Sequence, residues 1–238
     1  MFTKEILVIA VTAASLGFVH TLLGPDHYLP FIVMSRARKW TLSKTLFISF
    51  LCGLGHILSS VVLGLAGIAL GVAVLRLENI ESFRGGAAAW LLTGLGFAYF
   101  IWGLRRAIKN KPHRHIHVHA DGEEHEHIHT HKTDHSHLHD ERKGVRLTPW
   151  ILFTIFIFGP CEPLIPLVMY PAAKHNIPGL ILVTITFGFA TILTMLSIIA
   201  ISSWGVSFLR LGRLERYVHA LAGAMIFISG LSVQLLGL

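Results

Sequence analysis

The chain has 238 residues, 53% of them hydrophobic and only 14% charged, with a net charge of +7 and a mean hydropathy of +0.63. A soluble domain carries about 25% charged residues, so the composition excludes an ordinary water-soluble globule. The surplus of Lys and Arg reads as membrane topology and contact with anionic lipid, and nucleic-acid binding is not expected.

The apolar residues fall in six blocks, roughly 6–34, 45–75, 85–104, 148–171, 177–204 and 217–238. Each holds about 20 residues or more, enough to cross a hydrocarbon core near 30 Å thick. The first block follows Lys4 and contains small residues at Ala13, Ala14 and Ser15, a pattern similar to that of a signal peptide. Its apolar run continues through His20 to Met34, longer than a signal core, so it is expected to be retained as a span. Arg36, Arg38, Lys39 and Lys44 follow block one. Arg105 to Arg146 follow block three, and Arg210, Arg213 and Arg216 follow block five. Positive charge marks the cytoplasmic side. These three connections are therefore expected inside and both termini outside, in a multi-pass protein of the cell (inner) membrane. No Lys or Arg falls within the six blocks, which counts against an anion transporter.

Block one contains Gly24-Pro25-Asp26-His27, and block four contains Gly159-Pro160-Cys161-Glu162, 135 positions later. Proline lacks an N–H and clashes with the preceding turn, so each pair should break its helix and free carbonyls of about one turn. Such a break survives at membrane depth only where it is buried in protein or lines a cavity. The repeat extends further. At the same offset Gly53 to Ser59 lies against Gly188 to Thr194; at an offset of 127, Gly96, Phe100, Ile101, Gly103 and Leu104 match Gly223, Phe227, Ile228, Gly230 and Leu231. Three spans per half require the second half to be inverted. The expected fold is an all-α integral membrane protein: six transmembrane helices as two inverted three-helix repeats, with the first and fourth helices broken. Residues 1–109 form the first repeat, 110–146 a cytoplasmic His-rich loop expected to be disordered, and 147–238 the second repeat.

Ionisable groups inside a span are costly and default to a functional reading. His20 and His27 are seven apart, on one helix face if the turn stays regular, with Asp26 alongside; the alternative is an Asp–His pair that only pins helices together. Cys52 and His56 share a face of span two, His56 as a candidate ligand and Cys52 as a weaker one, since a lone Cys is most often a small hydrophobe. Cys161 and Glu162 stand at the second break and are expected to face the same cavity. His219 is expected to be interfacial or structural. Imidazole, carboxylate and thiolate together suit Ni, Co, Zn, Cu or Fe over Mg or Ca. No prosthetic group and no enzymatic activity are expected.

The connection after span three holds 11 of the 16 histidines: His113, His115, His117, His119, His125, His127, His129, His131, His135, His137 and His139. Short His-rich tracts read as metal binding, and here as a low-affinity cytoplasmic buffer that passes metal to or from the spans or a cytoplasmic donor or acceptor. The oligomeric state is not legible.

The H-x5-D-H pattern of His20, Asp26 and His27, the Gly-x-Gly-His element ending at His56, and the histidine loop resemble nickel/cobalt permeases of the urease- and hydrogenase-accessory type. They are similar also to nickel–cobalt efflux proteins and sulfite-exporter-like permeases of the lysine-exporter-type superfamily. The resemblance implies Ni²⁺ or Co²⁺ as substrate, with Zn or Fe as further options, and His20, Asp26, His27 and His56 as functional positions. The eight-span nickel permeases have four residues between the first His and the Asp, not five, so their ligand geometry is not carried over. Alternating access by rocking of the two halves is expected, with export favoured because a collector of metal serves the donor side. A second resemblance, of Gly159-Pro160-Cys161 and Pro163 to membrane thiol–disulfide electron carriers, would make Cys52 and Cys161 a redox pair.

Overall fold

The first helix, α1 (Lys4–Leu23), stops at the first Gly-Pro pair in the computed structural model, which describes residues 4–109, 113–118, 124–129, 141–159, 161, 163–207 and 212–236. A 3-10 turn over Pro25–His27 carries the chain into α2 (Leu29–Arg38). Lys39, in the left-handed region at φ 52°, closes α2 by donating its N–H to the carbonyls of Ser35 and Arg36. Thr41 caps α3 (Leu42–Ala69), its Oγ1 accepting the Lys44 N–H at 3.3 Å. Then come α4 (Val74–Lys109), α5 (Glu141–Phe158), α6 (Leu164–Ala173), α7 (Ile177–Ser207), a second 3-10 turn and α8 (Val218–Leu236). The second Gly-Pro pair separates α5 from α6.

Five helices are long and apolar enough to cross a membrane: α1, α3, α4, most of α7, and α8 with its preceding turn. Only 28–33% of each apolar window is buried inside the protein. The remainder is outward-facing hydrocarbon, with Val11, Phe189 and Ile201 at 66–69% exposure. Soluble monomers do not present apolar belts of this extent, and lipid is the solvent that fits them. Helices α5 and α6 are shorter apolar segments.

Two details depart from expectation. Helix α4 begins at Val74 rather than near Gly85, and its 36 residues make a rod about 54 Å long. The extension brings Arg84 and the fully buried Glu81 into the packed structure, so a guanidinium does lie within a spanning helix. Within the loop, the backbones of β1 (His113–Val118) and β2 (Glu124–His129) pair antiparallel, with His113, His115 and His117 in register with His129, His127 and His125. The H-x-H rhythm is itself a period of two, the side-chain repeat of a strand. His119, His131, His135, His137 and His139 lie outside the described residues, as does Glu162.

Two apolar clusters hold the helices together. One gathers Phe31, Met34, Leu92, Phe156, Met195 and Ile226 from α2, α4, α5, α7 and α8. The other gathers Ala13, Ile57, Leu164, Val168 and Phe187 from α1, α3, α6 and α7. Helices α4 and α8 run in backbone contact, which glycine makes possible. A methyl group at Gly96 would strike the Phe227 backbone, and one at Gly223 would strike that of Phe100. Without a hydrophobic force between helices in lipid, such close approach is the main source of association. Gly96→Leu should lower the melting temperature in detergent, by an amount matching an overpacking cost of about 1–3 kcal/mol or more. Gly94→Ala, where a methyl meets nothing within 4 Å among the described residues, should leave it unchanged or raise it.

Candidate metal centre

The first Gly-Pro break builds the site. Proline denies α1 its next N–H, the chain turns through the 3-10 segment, and His27 folds back over the end of α1. Gly24 makes this possible, because a Cβ there would lie 2.5 Å from His27 Nδ1. The Leu22 carbonyl at this end of α1 accepts the Tyr28 hydroxyl at 3.3 Å. The result sets His27 against His20 of the last turn of α1, ring centroids 4.8 Å apart and edge-on. From α3, His56 meets the other side of His27 at 5.2 Å, again edge-on.

Hydrogen bonding decides which nitrogen each ring offers. His27 Nδ1 lies 3.1 Å from Asp26 Oδ1 and 3.2 Å from the Gly24 carbonyl. His56 Nδ1 lies 3.3 Å from the Phe156 carbonyl. All these partners are acceptors, so Nδ1 carries the proton and donates, and each Nε2 keeps a free lone pair. The Nε2 atoms of His20, His27 and His56 are all buried without a hydrogen-bond partner among the described residues. A buried polar nitrogen left unpaired costs about 1–3 kcal/mol; two acceptors and the His20 Nε2 together in an apolar phase call for a shared partner.

The three rings offer one ligand atom each, all within 4.8 Å of one another. An ion bound at about 2.1 Å by all three needs nitrogens some 3.0–3.4 Å apart, so the three rings would draw together around it. Beside them is a cavity of about 30 Å³ bordered by Asp26, His27, His56, Gly85, Ala88 and Ala89. Small residues on α4 leave this space open. It is enough for an ion with a water or two.

Of the residues singled out from the sequence, the structure gathers His20, His27 and His56. Asp26 lies outside this group of three but borders the cavity, and its Oδ1 accepts from His27 Nδ1 and orients that ring. Such a carboxylate fixes the tautomer and strengthens the imidazole as a donor. Cys52 and Cys161 are free, fully buried thiols outside the group. Cys52 packs with Phe31, Met34 and Met195, and Cys161 with Ala10, Ala13 and Phe187. His219 is remote from the cavity; its Nδ1 pairs with the Tyr99 hydroxyl at 2.8 Å, and its ring meets Trp102. Sequence reading missed the second glycine's part. A Cβ on Gly159 would come within 3.0 Å of His56 Nδ1, so both Gly-Pro glycines make room for a site histidine. No family model, curated protein or solved structure matches the chain.

In a Co²⁺ titration followed by ligand-field absorption, His20→Ala, His27→Ala and His56→Ala should each abolish the tight phase. Asp26→Asn should weaken it about 10–100-fold, the usual cost of losing a partner behind a ligand. Cys52→Ser and Cys161→Ser should leave it intact.

Proposed function

We propose that this chain is a membrane transporter for a divalent transition-metal ion, Ni²⁺ or Co²⁺ foremost, working by alternating access. The observation that carries the reading is the grouping of His20, His27 and His56 at a helix break, each offering a ligand atom within 4.8 Å of the others, beside a cavity that His27 and His56 border. Imidazole donors suit the late first-row metals, and Mg²⁺ and Ca²⁺ prefer oxygen shells. The motifs that resemble nickel/cobalt permeases narrow the choice to Ni²⁺ and Co²⁺. Among the described residues that border the cavity, Asp26 is the acidic one, and its charge offsets part of the dication's desolvation cost. Because the ligands bind metal only when deprotonated, uptake of the ion competes with uptake of protons, a direct route to proton coupling.

The proposal includes six spans arranged as two inverted repeats, with α1–α2 and α5–α6 each counted as one broken span, in the cell membrane with the histidine loop on the cytoplasmic side. Reciprocal contacts support it. Gly96 faces Phe227 while Gly223 faces Phe100; Gly103 faces Ala220 while Gly230 faces Thr93. Exchanging residues by the offset of 127 turns each contact into its partner, as a two-fold axis between α4 and α8 requires. The packing of α1 on α7 and of α5 on α3 is exchanged in the same way by the offset of 135. Export is the favoured direction, with the loop histidines collecting cytoplasmic metal.

The alternative, an electron carrier working through Cys52 and Cys161, is disfavoured by their placement in separate apolar clusters. Flux of Ni²⁺, Co²⁺, Zn²⁺ and Mg²⁺ into proteoliposomes tests the reading. Ni²⁺ or Co²⁺ should move and Mg²⁺ should not. His27→Ala should cut the flux by at least about tenfold, and the double variant Cys52→Ser/Cys161→Ser should retain it. Full flux through His27→Ala would sink the site; absence of any metal flux alongside thiol exchange would sink the function.

A further inference from the structure

The second Gly-Pro break frees carbonyls at the end of α5, and the groups that claim them lie in the other half of the chain. Pro160 has no N–H to offer the Phe156 carbonyl, which receives His56 Nδ1 at 3.3 Å and the Gly159 N–H at 3.0 Å. The next carbonyl, that of Ile157, accepts Arg84 Nη2 at 2.8 Å. The same Nη2 donates to Ser59 Oγ at 2.9 Å, and Arg84 Nη1 donates to Glu81 Oε2 at 2.8 Å. Ser59 in turn donates to the carbonyl of His56 at 2.8 Å. One guanidinium thus ties α3, α4 and the broken end of α5 together, one helical turn from a site histidine. Its neighbour in sequence, Gly85, borders the cavity.

This position has an electrostatic consequence. A guanidinium stays charged at any physiological pH, and cation pathways are closed by such a charge held across them. Fully buried Glu81 anchors Arg84 within α4 through Nη1, while Nη2 is held across to Ser59 and the Ile157 carbonyl. Holding the cation at a helix C-terminus is also favoured by the helix dipole. The clamp lies on α3 between His56 and Ala69, toward the connection that joins α3 to α4.

We propose that Arg84, held by Glu81, Ser59 and the Ile157 carbonyl, is the gate that closes the cavity bordered by His27 and His56 toward the α3–α4 connection. The proposal rests on the transport reading, because a gate needs a cargo. In the clamped state no dication passes that way; release of Arg84 from Ser59 and Ile157 lets α5 swing from α3 and opens the cavity on that side.

The test measures access rather than flux. Ala88→Cys places a thiol at the cavity, and the parent chain gives the background from the two buried cysteines. A membrane-impermeant thiol reagent is applied to spheroplasts and to inverted vesicles, with the exposed position Ala73→Cys marking the face of the α3–α4 connection. Glu81→Gln/Arg84→Gln removes both charges together and leaves neither stranded. In this background the Ala88→Cys labelling rate should rise about tenfold from the marked face and stay unchanged from the other, the scale of losing one charge-assisted hydrogen bond from the closed state. An unchanged rate in folded protein, or an equal rise from both faces, would overturn the gate. Ser59→Ala removes a single acceptor from the clamp and carries the test alone should the double variant fail to fold: a one-sided rise supports the gate and no rise overturns it. Since no metal is needed, the gate can fail while metal flux stands, and metal flux can fail while the gate stands.

Discussion

Backbone groups in an apolar phase must be hydrogen-bonded, and this single constraint organises the protein. Two prolines at membrane depth each remove a donor that an unbroken helix would use, and the structure around each break is the answer to that loss. At the first break Tyr28 and the short 3-10 turn take up the slack, and the turn throws His27 back onto His20. At the second break, the freed carbonyls of Phe156 and Ile157 are met by His56 and Arg84. Helix breakers, histidines and the buried arginine are therefore parts of one solution rather than separate features.

The same hydrogen bonds produce the chemistry. An imidazole has two nitrogens, and a neutral one must donate from one and accept at the other. By giving Nδ1 of His27 and His56 to backbone and carboxylate oxygens, the fold commits their Nε2 atoms to be acceptors with nothing nearby to accept from. In water this would be of no consequence. Among apolar side chains, neighbouring lone pairs left unpaired are the arrangement a cation would relieve, and the small residues of α4 border the cavity beside them.

Much of this was legible in the sequence, and the parts that were not share a cause. His20, Asp26, His27 and His56 stood out because polar residues in apolar blocks are expensive, and the Gly-Pro pairs marked where helices α1 and α5 end. Cys52 and Cys161 stood out by the same logic and packed as hydrophobes, since a neutral thiol is cheap to bury and carries little information about where it points. Asp26 borders the same cavity as His27 and His56, but spacing along a chain does not show that its carboxylate turns toward its own neighbour, His27. Glu81 and Arg84 were passed over because a hydropathy boundary falls at Gly85. A charge pair three residues apart looks like a solvated helix end until another helix is known to cover it. The paired strands in the histidine loop were hidden by composition, which spoke for disorder, although the alternating histidines carried the period of a strand.

The cross-connections also bear on how such a protein could move. If the halves rocked as rigid bodies, the interface between them would have to slide or part. Yet the contacts between the halves are among the tightest in the molecule: glycine backbones of α4 and α8 interlock at four positions, and α1 packs along α7. Sliding glycine-fitted backbones past one another forfeits close packing that lipid cannot replace. The joints with fewer helical hydrogen bonds to lose are the two Gly-Pro breaks, where α1 meets α2 and α5 meets α6. Motion confined there would leave α4 and α8 as a fixed spine and swing α5 relative to α3. That swing passes through the hydrogen bonds made by His56 and Arg84 to α5. A ligand that pulls His56 toward His20 and His27 would strain its bond to Phe156 directly, which gives the cavity a mechanical hold on the broken helix of the other half.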